Sequence, residues 1–382
     1  MSAPAANLRG IEPALLEDWL RDRYFTAKID ISCSGVREYS LGELLRLTDL
    51  DHPALEGVEF RDAPSLGGER PRAAVANRYA PGRADRVMMT NGSSEGIFLA
   101  LAALIRPGDE VIVPRPAYQS LTSIAAALGA RLRVWELPAG DGFAADLDRL
   151  TALMSPATRI VVANFPHNPT GTTLGRDEYE RLVELVARHG CHLFWDGAFA
   201  ELAHDAPALP DPVNDLERCV SFGTLSKAFG FPGLRAGWCF APPELLTEMV
   251  RIRDYLTLAL SPLNEALAAA VIEHADAVIG PRLAEARQGR EILLAWARDN
   301  GDVVSLPPPR GGVTAFPKII GLDDVTALCA DLATHAGVLV VPGACFTHPD
   351  RMRIGYAVQD DHLRSGLAAV TTAIHDAVAA RR

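Results

Sequence analysis

The chain has 382 residues, of which 48% are hydrophobic and 22% are charged, values typical of a folded protein of more than one domain and unlike those of disordered chains. Its 37 Lys and Arg against 48 Asp and Glu leave a net charge of −11, which argues against a nucleic-acid partner and against an anionic membrane surface. The longest apolar run, residues 97–105, is about half of the roughly 18 residues that a membrane span needs. The first seven residues have neither the basic start nor the apolar stretch of a secretory signal, so we expect a cytoplasmic protein.

Six scattered cysteines without a C-x-x-C pair indicate buried thiols rather than a metal site or disulfides.

Short β-branched segments alternate with helix-length segments through the middle of the chain. The pattern predicts strands at residues 87–90, 110–113, 131–135, 159–164, 192–196 and 219–223, and helices at 93–106, 118–128 and 176–189. Such alternation is typical of βαβ units, and continuously apolar strands indicate a mostly parallel sheet covered on both faces. The predicted fold class is therefore α/β. The polar residues that end these strands should share one crevice, because ligands of open α/β sheets collect at the carboxyl ends of the strands.

The sequence changes character after about residue 285. A helix around residues 283–299, a proline-rich turn at 307–309, short extended segments at 312–320, 338–341 and 351–356, a helix at 323–335 and a final helix predict a smaller α+β domain. We expect a large domain over residues 56–284, a small C-terminal domain over 285–382, and an N-terminal segment, residues 1–55, that packs with the small domain.

A phosphate-binding turn is indicated after the first of these strands. There Asn91 and Gly92 are followed by Ser93 and Ser94, which open an apolar helix. The free N–H groups and the positive dipole end of a helix start suit a phosphate. The alternative is an ordinary serine N-cap with a glycine turn, and the motif fits it equally well.

Residues 221–237 place a lysine in an unusual setting. A strand leads into a turn that carries Thr224, Ser226 and Lys227, and Arg235 follows the lysine by eight positions. Burial and a neighbouring cation lower the pKa of a lysine and free its amine to form a Schiff base. The hydroxyl groups and Arg235 can hold a phosphate, the arginine through two N–H donors. The alternative, a solvated surface lysine, fits this context less well.

Two further strand ends supply an amide and a carboxylate, Asn168 and Asp196. A carboxylate in such a position ordinarily caps a helix or pairs with a cation. If the ligand is a pyridine ring, Asp196 would pair with its protonated nitrogen and Asn168 would donate to its phenolate oxygen. For His167, beside them, we expect a structural role.

Taken in order, these residues resemble a known family. Asp196 follows Asn168 by 28 residues, Lys227 follows Asp196 by 31, and Arg235 follows Lys227 by 8. Together with Tyr118 and Arg353, the series resembles the class I and II aminotransferases of the fold-type I pyridoxal-phosphate superfamily. The resemblance covers nearly the whole chain and implies a large and a small domain, pyridoxal 5′-phosphate as cofactor, and a homodimer.

The resemblance also implies a role for each residue around the cofactor ring. Lys227 would bind the cofactor covalently and move the substrate's Cα proton, while Asp196 would keep the pyridine nitrogen protonated. Asn168 would contact the 3′-oxygen, and Tyr118 would stack on the ring. Phe199 departs from the family, because most members have a tyrosine there that donates to the 3′-oxygen.

The same resemblance implies a phosphate cup and a binding residue for the substrate's α-carboxylate. The residues expected to hold the phosphate are Ser93, Ser94, Thr224, Ser226 and Arg235. The α-carboxylate would bind Arg353, whose alternative role is a cross-strand ion pair.

Within the superfamily, several stretches resemble enzymes of antibiotic biosynthesis that cyclise a hydroxylated arginine. They are residues 34–36, 60–67, 196–199, 251–258, 310–317 and 350–355. This resemblance implies a small-molecule substrate, 3-hydroxyarginine or dihydroxyarginine, that loses its hydroxyl group and is closed into a ring by its own guanidine. It also implies that Gly35 and Arg353 contact the substrate. An ordinary aminotransferase and a non-catalytic binding protein on this fold remain the alternatives.

Overall fold

The computed structural model describes residues 8–381. Residues 1–7, on which the expectation of no secretory signal rests, lie outside the described residues. The α-helices are α1 (Leu15–Arg21), α2 (Leu41–Thr48), α3 (His52–Glu56), α4 (Glu69–Tyr79), α5 (Ser93–Leu104), α6 (Ser123–Ala127), α7 (Leu147–Leu153), α8 (Arg176–His189), α9 (Pro243–Arg253), α10 (Pro262–Glu273), α11 (Ala275–Asp299), α12 (Thr326–Asp331) and α13 (Asp360–Ala379). The strands are β1 (Ile29–Asp30), β2 (Val87–Thr90), β3 (Glu110–Arg115), β4 (Arg131–Glu136), β5 (Thr158–Asn164), β6 (His192–Asp196), β7 (Cys219–Thr224), β8 (Gly237–Phe240), β9 (Val304–Ser305), β10 (Thr314–Ala315), β11 (Lys318–Ile319), β12 (Val338–Leu339), β13 (Val341–Pro342) and β14 (Met352–Gly355).

A central sheet organises the larger part of the molecule, with strand order β2-β8-β7-β6-β5-β3-β4. The pairs β3/β4, β3/β5, β5/β6 and β6/β7 are parallel, and β8 runs antiparallel to both of its neighbours. The mostly parallel α/β sheet predicted from the sequence is therefore confirmed. The six predicted strands are all present, whereas β8 was not predicted.

Both faces of the central strands of this sheet are buried, which explains their continuously apolar stretches, whereas the edge strand β4 is partly exposed. Along β5, Val161 and Ala163 belong to one hydrophobic cluster and Ile160 and Val162 to the other. Successive side chains of a strand point to opposite faces, so each cluster fills one side of the sheet. Each buried aliphatic side chain of this kind contributes roughly 1.5–3 kcal/mol, and the resulting rigid sheet holds the strand ends in place.

One predicted helix is broken. Instead of a helix over residues 118–128, the chain forms a 3-10 turn at Gln119–Leu121 and the short helix α6. Tyr118 has extended backbone angles, and Thr122, with φ −118° and ψ −55°, separates the two turns. The alanine-rich pattern alone could not predict this break.

Segments from the N-terminal and C-terminal parts of the chain pair outside the central sheet. Strand β1 pairs in parallel with β12, and β14 lies between β10 and β13. The Trp19 indole also donates to the carbonyl of Val340 at 2.9 Å, so part of the N-terminal segment packs with the C-terminal elements. The predicted domain boundary after residue 284 falls inside the 25-residue helix α11, which extends the predicted helix at its N-terminal end. The predicted helix over 323–335 is shorter, since α12 ends at Asp331 and a π-helical turn follows.

None of the helices within residues 8–381 is both long and apolar enough to cross a membrane.

Candidate active site

A cavity of about 490 Å³ lies at the carboxyl ends of β2, β5, β6 and β7. Every predicted site residue except Gly35 lines it: Ser93, Ser94, Tyr118, Asn168, Asp196, Thr224, Ser226, Lys227, Arg235 and Arg353. Further lining residues include Leu16, Glu17 and Leu20 on α1, which the motifs did not reveal, and Ser34, which lies in the stretch 34–36 noted in the sequence. The expectation of one shared crevice at this edge of the sheet is confirmed.

Lys227 follows β7 and directs its amine into the cavity. Its Nζ donates to the hydroxyl oxygen of Ser34 at 2.8 Å, and it lies 5.9 Å from the centroid of the Phe199 ring. Burial, assisted by the nearby Arg353 cation, lowers the pKa of Lys227 to about 8. A sizeable share of the amine is therefore neutral near physiological pH, as Schiff-base formation and proton transfer both require.

Asp196 ends β6 as a buried carboxylate, 5% exposed. One of its oxygens accepts a hydrogen bond from the backbone N–H of Ala198 at 3.1 Å. Burial raises the pKa of Asp196 to about 6, against the opposing effects of that hydrogen bond and of Lys227. Such a carboxylate is stabilised by a cationic ligand in the cavity, and a protonated pyridine nitrogen is one.

A hydrogen-bond network links the strand ends to Arg353. The Asn164 side chain donates to the carbonyl of Asp196 at 3.0 Å and accepts from the backbone N–H of Asn168 at 3.1 Å. The Asn168 side-chain oxygen in turn accepts from Arg353 Nη1 at 3.2 Å, and Arg353 Nη2 donates to the carbonyl of Ser32 at 2.8 Å. These contacts fix the plane of the guanidinium and leave the Nδ2 donor of Asn168 for a ligand.

Arg353 is a buried cation, 1% exposed, and burial lowers its pKa to about 10. Its Nε has no hydrogen-bond partner, and no carboxylate within residues 8–381 forms an ion pair with it. The alternative of a cross-strand ion pair is therefore wrong. A buried guanidinium with a free donor fits an incoming carboxylate, which arginine binds through two N–H groups.

Part of the predicted phosphate cup lies at the start of α5. The N-cap residue is Gly92, with φ 78°, and no side chain caps the helix, so the alternative of an ordinary serine cap for Ser93 is wrong. A Cβ at Gly92 would lie 2.6 Å from Nη2 of Arg235, so glycine is needed for this arginine to lie along the helix start. The uncapped N–H groups and the guanidinium together form an anion site.

The hydroxyl groups of the cup come from the turn after β7. The Thr224 hydroxyl donates to the hydroxyl oxygen of Ser226 at 3.0 Å, and Arg235 Nη1 donates to the carbonyl of Pro232 at 3.0 Å. Because Arg235 has a positive φ of 50°, its backbone turns there and directs the chain into β8. The predicted phosphate residues are thus brought together around one end of the cavity.

Tyr118 and α1 meet at the cavity wall. The Tyr118 hydroxyl donates to Oε1 of Glu17 at 3.1 Å, and burial, assisted by the charge of Glu17, raises the pKa of Tyr118. No local motif marks α1 as part of the site, because its role depends on packing between segments about a hundred residues apart.

Gly35 and His167 lie beside the cavity. A Cβ at Gly35 would come within 2.9 Å of the Ser226 carbonyl, so this glycine allows residues 34–36 to lie against the Lys227 backbone; its contact with substrate remains a prediction. Both ring nitrogens of His167 are hydrogen-bonded, to the Thr170 hydroxyl at 2.8 Å and to the carbonyl of Pro116 at 3.0 Å. Burial lowers the pKa of His167 to about 4, which fits the expected structural role.

These features fit pyridoxal phosphate. The uncapped helix start with Arg235 suits its phosphate, Asp196 its protonated nitrogen, and the amine of Lys227 its aldehyde carbon. The Arg353 guanidinium, which lines the same cavity, suits a substrate carboxylate.

Comparison with known proteins agrees with the geometry. The sequence profile of the class I and II aminotransferase family matches residues 70–370. The chain is 53% identical to capreomycidine synthase of Streptomyces vinaceus over 374 residues, 97% of this chain and 96% of that protein. It is 32% identical to a probable N-succinyldiaminopimelate aminotransferase of Mycobacterium tuberculosis over 268 residues, 69% of this chain and 67% of that one.

Solved structures show the same relationship. The PLP-dependent cyclase OrfR superposes with a TM-score of 0.92 at 40% identity, covering 96% of this chain and 98% of that one. Aspartate aminotransferase of Thermus thermophilus with maleate gives 0.84 at 22% identity, covering 98% and 100%, which shows the shared fold alone.

The chain therefore belongs to the class I and II aminotransferase family and has the fold of the fold-type I pyridoxal-phosphate enzymes. It is an enzyme of this superfamily, with pyridoxal phosphate as its cofactor. Within the family, its similarity to capreomycidine synthase and to a PLP-dependent cyclase supports a cyclase activity.

Proposed function

We propose that the protein converts 3-hydroxyarginine, or a dihydroxyarginine, into capreomycidine or its hydroxylated form, as a step in antibiotic biosynthesis. The observation that carries this proposal is 53% identity with a capreomycidine synthase over 97% of the chain. The predicted cofactor residues around one cavity support it, and Lys227, whose pKa is lowered by burial to about 8, can act as the base that this reaction requires.

Each of the main residues of the cavity has a separate role in this reaction. Arg353 binds the α-carboxylate and fixes the substrate's orientation, while Asn168 and Asp196 hold the cofactor ring from its oxygen and nitrogen sides. When bound, the cofactor supplies an electron sink for the charge left after the Cα proton departs. Lys227 takes that proton and later returns it, since a base with a pKa near the working pH transfers protons efficiently in both directions.

The reaction balances without a second substrate. The hydroxyl group leaves Cβ with one proton as water, and a guanidine nitrogen of the same molecule bonds to Cβ and releases one proton. Ring closure is favoured because both partners are held in one molecule. The ring of Phe199, whose centroid lies 5.9 Å from Lys227 Nζ, gives this side of the cavity an apolar wall.

Ordinary transamination is the second candidate, favoured by the 32% identity with an aminotransferase. The two activities differ in their need for a 2-oxo acid. We would incubate the enzyme loaded with pyridoxal phosphate (the loaded enzyme) with 3-hydroxyarginine, dihydroxyarginine or arginine, with and without a 2-oxo acid. The mass of each product would then be measured.

A cyclic product lighter by one water, formed without the oxo acid, is the expected result. Arginine, which lacks the leaving group, should exchange its Cα proton for solvent deuterium and give no ring. Faster turnover of arginine plus a 2-oxo acid than cyclisation of hydroxyarginine would overturn the proposal in favour of the aminotransferase.

We further propose that the active form is a cytoplasmic homodimer. Large apolar side chains are exposed on two segments, with Tyr255 91% and Phe60 80% exposed. The two segments are connected through Arg253, which donates to the carbonyl of Ser65 at 2.6 Å and pairs with Glu95 on α5 at 3.3 Å. A second copy of the chain would cover these side chains next to the phosphate cup. Sedimentation at assay concentration tests this, and an active monomer would refute it.

A further inference from the structure

The cavity contains a carboxylate for which the chemistry described so far has no use. Besides Asp196, the acidic residue that lines it is Glu17 on α1. Within residues 8–381, Glu17 forms no ion pair. Its carboxylate oxygen Oε1 accepts a hydrogen bond from the Tyr118 hydroxyl at 3.1 Å. That contact uses one lone pair of Oε1 and leaves Oε2 for a ligand.

The charges around Glu17 show what kind of ligand it suits. The cavity also holds the cations Lys227, Arg235 and Arg353, and the negative charge of Glu17 raises the pKa values of both Lys227 and Arg353 against the effect of burial. Glu17 is therefore close enough to act electrostatically on the reacting region. Arg353 is assigned to an α-carboxylate and Arg235 to a phosphate, so a cationic group of the substrate is the natural partner of Glu17.

We propose that Glu17 binds the guanidinium group of the substrate and thereby selects amino acids with a cationic side chain. This inference rests on the proposed function for the identity of the substrate. A carboxylate and a guanidinium form two parallel hydrogen bonds, and the Tyr118 hydroxyl holds the carboxylate in position for them.

This mode of binding is compatible with ring closure. A guanidinium has five N–H donors, and a two-point contact with Glu17 through Nε and one terminal nitrogen leaves the other terminal nitrogen free. That nitrogen can then approach Cβ while the rest of the group stays fixed. Leu16 and Leu20, which line the cavity from the same helix, would lie against the substrate's methylene groups.

The test compares two ligands that lack a leaving group and therefore bind without cyclising. The loaded enzyme is titrated with arginine and with norleucine, whose apolar side chain has no guanidinium, and the dissociation constants are read from the change in cofactor absorbance. Glu17→Gln should weaken arginine binding by about 10- to 150-fold, the equivalent of one lost charged hydrogen bond, and change norleucine binding less than about twofold.

Asp18 on the same helix provides a matched control. It pairs with Arg21 at 2.6 Å and does not line the cavity, so Asp18→Asn removes the same charge from α1 outside the site. Both ligands should bind this variant as they bind the wild type, with unchanged cofactor content and circular dichroism.

The outcomes separate this inference from the proposed function. If Glu17→Gln binds arginine as tightly as the wild type, or weakens both ligands equally, Glu17 does not recognise the guanidinium. Equal binding of arginine and norleucine by the wild type would also overturn the inference. If the wild type selects arginine through Glu17 and yet fails to cyclise hydroxyarginine, the inference holds and the proposed function fails.

Discussion

Arg353→Lys should weaken substrate binding and leave the cofactor in place. Arg353 has five N–H donors, of which one on Nη1 goes to Asn168 and one on Nη2 to the carbonyl of Ser32. Each terminal nitrogen keeps a second N–H for a carboxylate, while the buried Nε has no partner. A lysine ammonium has three donors in all and cannot form the planar two-point contact. If it kept both protein contacts, a single donor would remain for the substrate.

The loss is therefore at least one hydrogen bond between charged groups, which corresponds to about 1.5–3 kcal/mol, or roughly 10- to 150-fold in the dissociation constant. Titration of the loaded variant with arginine, followed by cofactor absorbance, measures this directly. Cofactor content should equal that of the wild type, because the cofactor contacts belong to other residues. Release of the cofactor with unchanged substrate affinity would refute the reasoning and make Arg353 a structural residue.

Three further predictions concern residues predicted to contact the cofactor: two involve substitutions and one a pH dependence. Lys227→Ala should abolish turnover and the adduct that borohydride reduction leaves on the protein, and peptide mapping that finds an adduct on another lysine would contradict the assignment. Because the pKa of Lys227 is lowered to about 8, its neutral fraction grows as the pH rises, so cofactor uptake by the cofactor-free enzyme should accelerate up to about pH 8 and then level off. A rate that still rises near pH 10 would indicate an ordinary lysine. Phe199→Tyr adds a hydrogen-bond donor for the cofactor's 3′-oxygen, so the pH dependence of cofactor absorbance should change while cyclisation continues. Phe199→Leu, which adds no donor, is the control. If cofactor absorbance depends on pH identically in both variants, residue 199 lies away from that oxygen.

The central sheet could be predicted because burial on both faces leaves a strong local signal. Strands such as β5 have a continuous apolar and buried centre, residues 160–163, and the intervening helices end at glycines such as Gly190, which has a positive φ of 76°. Strand β8 was not predicted although it is as short and as buried as β2, because it follows a turn that could equally have continued as a loop. Its antiparallel placement between β2 and β7 is set by the sheet as a whole.

Much of the candidate site could be predicted for a similar reason. Asn164, Asp196 and Thr224 each end a recognisable strand, and parallel strands bring their carboxyl ends to one edge. The contact between Tyr118 and Glu17 has no such local cause. It depends on how an N-terminal helix packs across a turn far along the chain, which neither the periodicity nor the spacing of residues encodes.

The residues predicted to bind the cofactor and those predicted to select the substrate lie on different structural elements. The predicted cofactor residues lie at the carboxyl ends of β2, β3, β5, β6 and β7 or in the turns that follow them, and two buried faces fix the geometry of this sheet. The residues assigned to the substrate come from elsewhere: Arg353 lies on β14, and Glu17 lies on α1. Changes in α1 can therefore alter which side chain is accepted without disturbing the lysine, the carboxylate or the phosphate cup. If Glu17 and Arg353 bind the substrate as proposed, members of this family can differ in the substrates they accept while keeping one cofactor site.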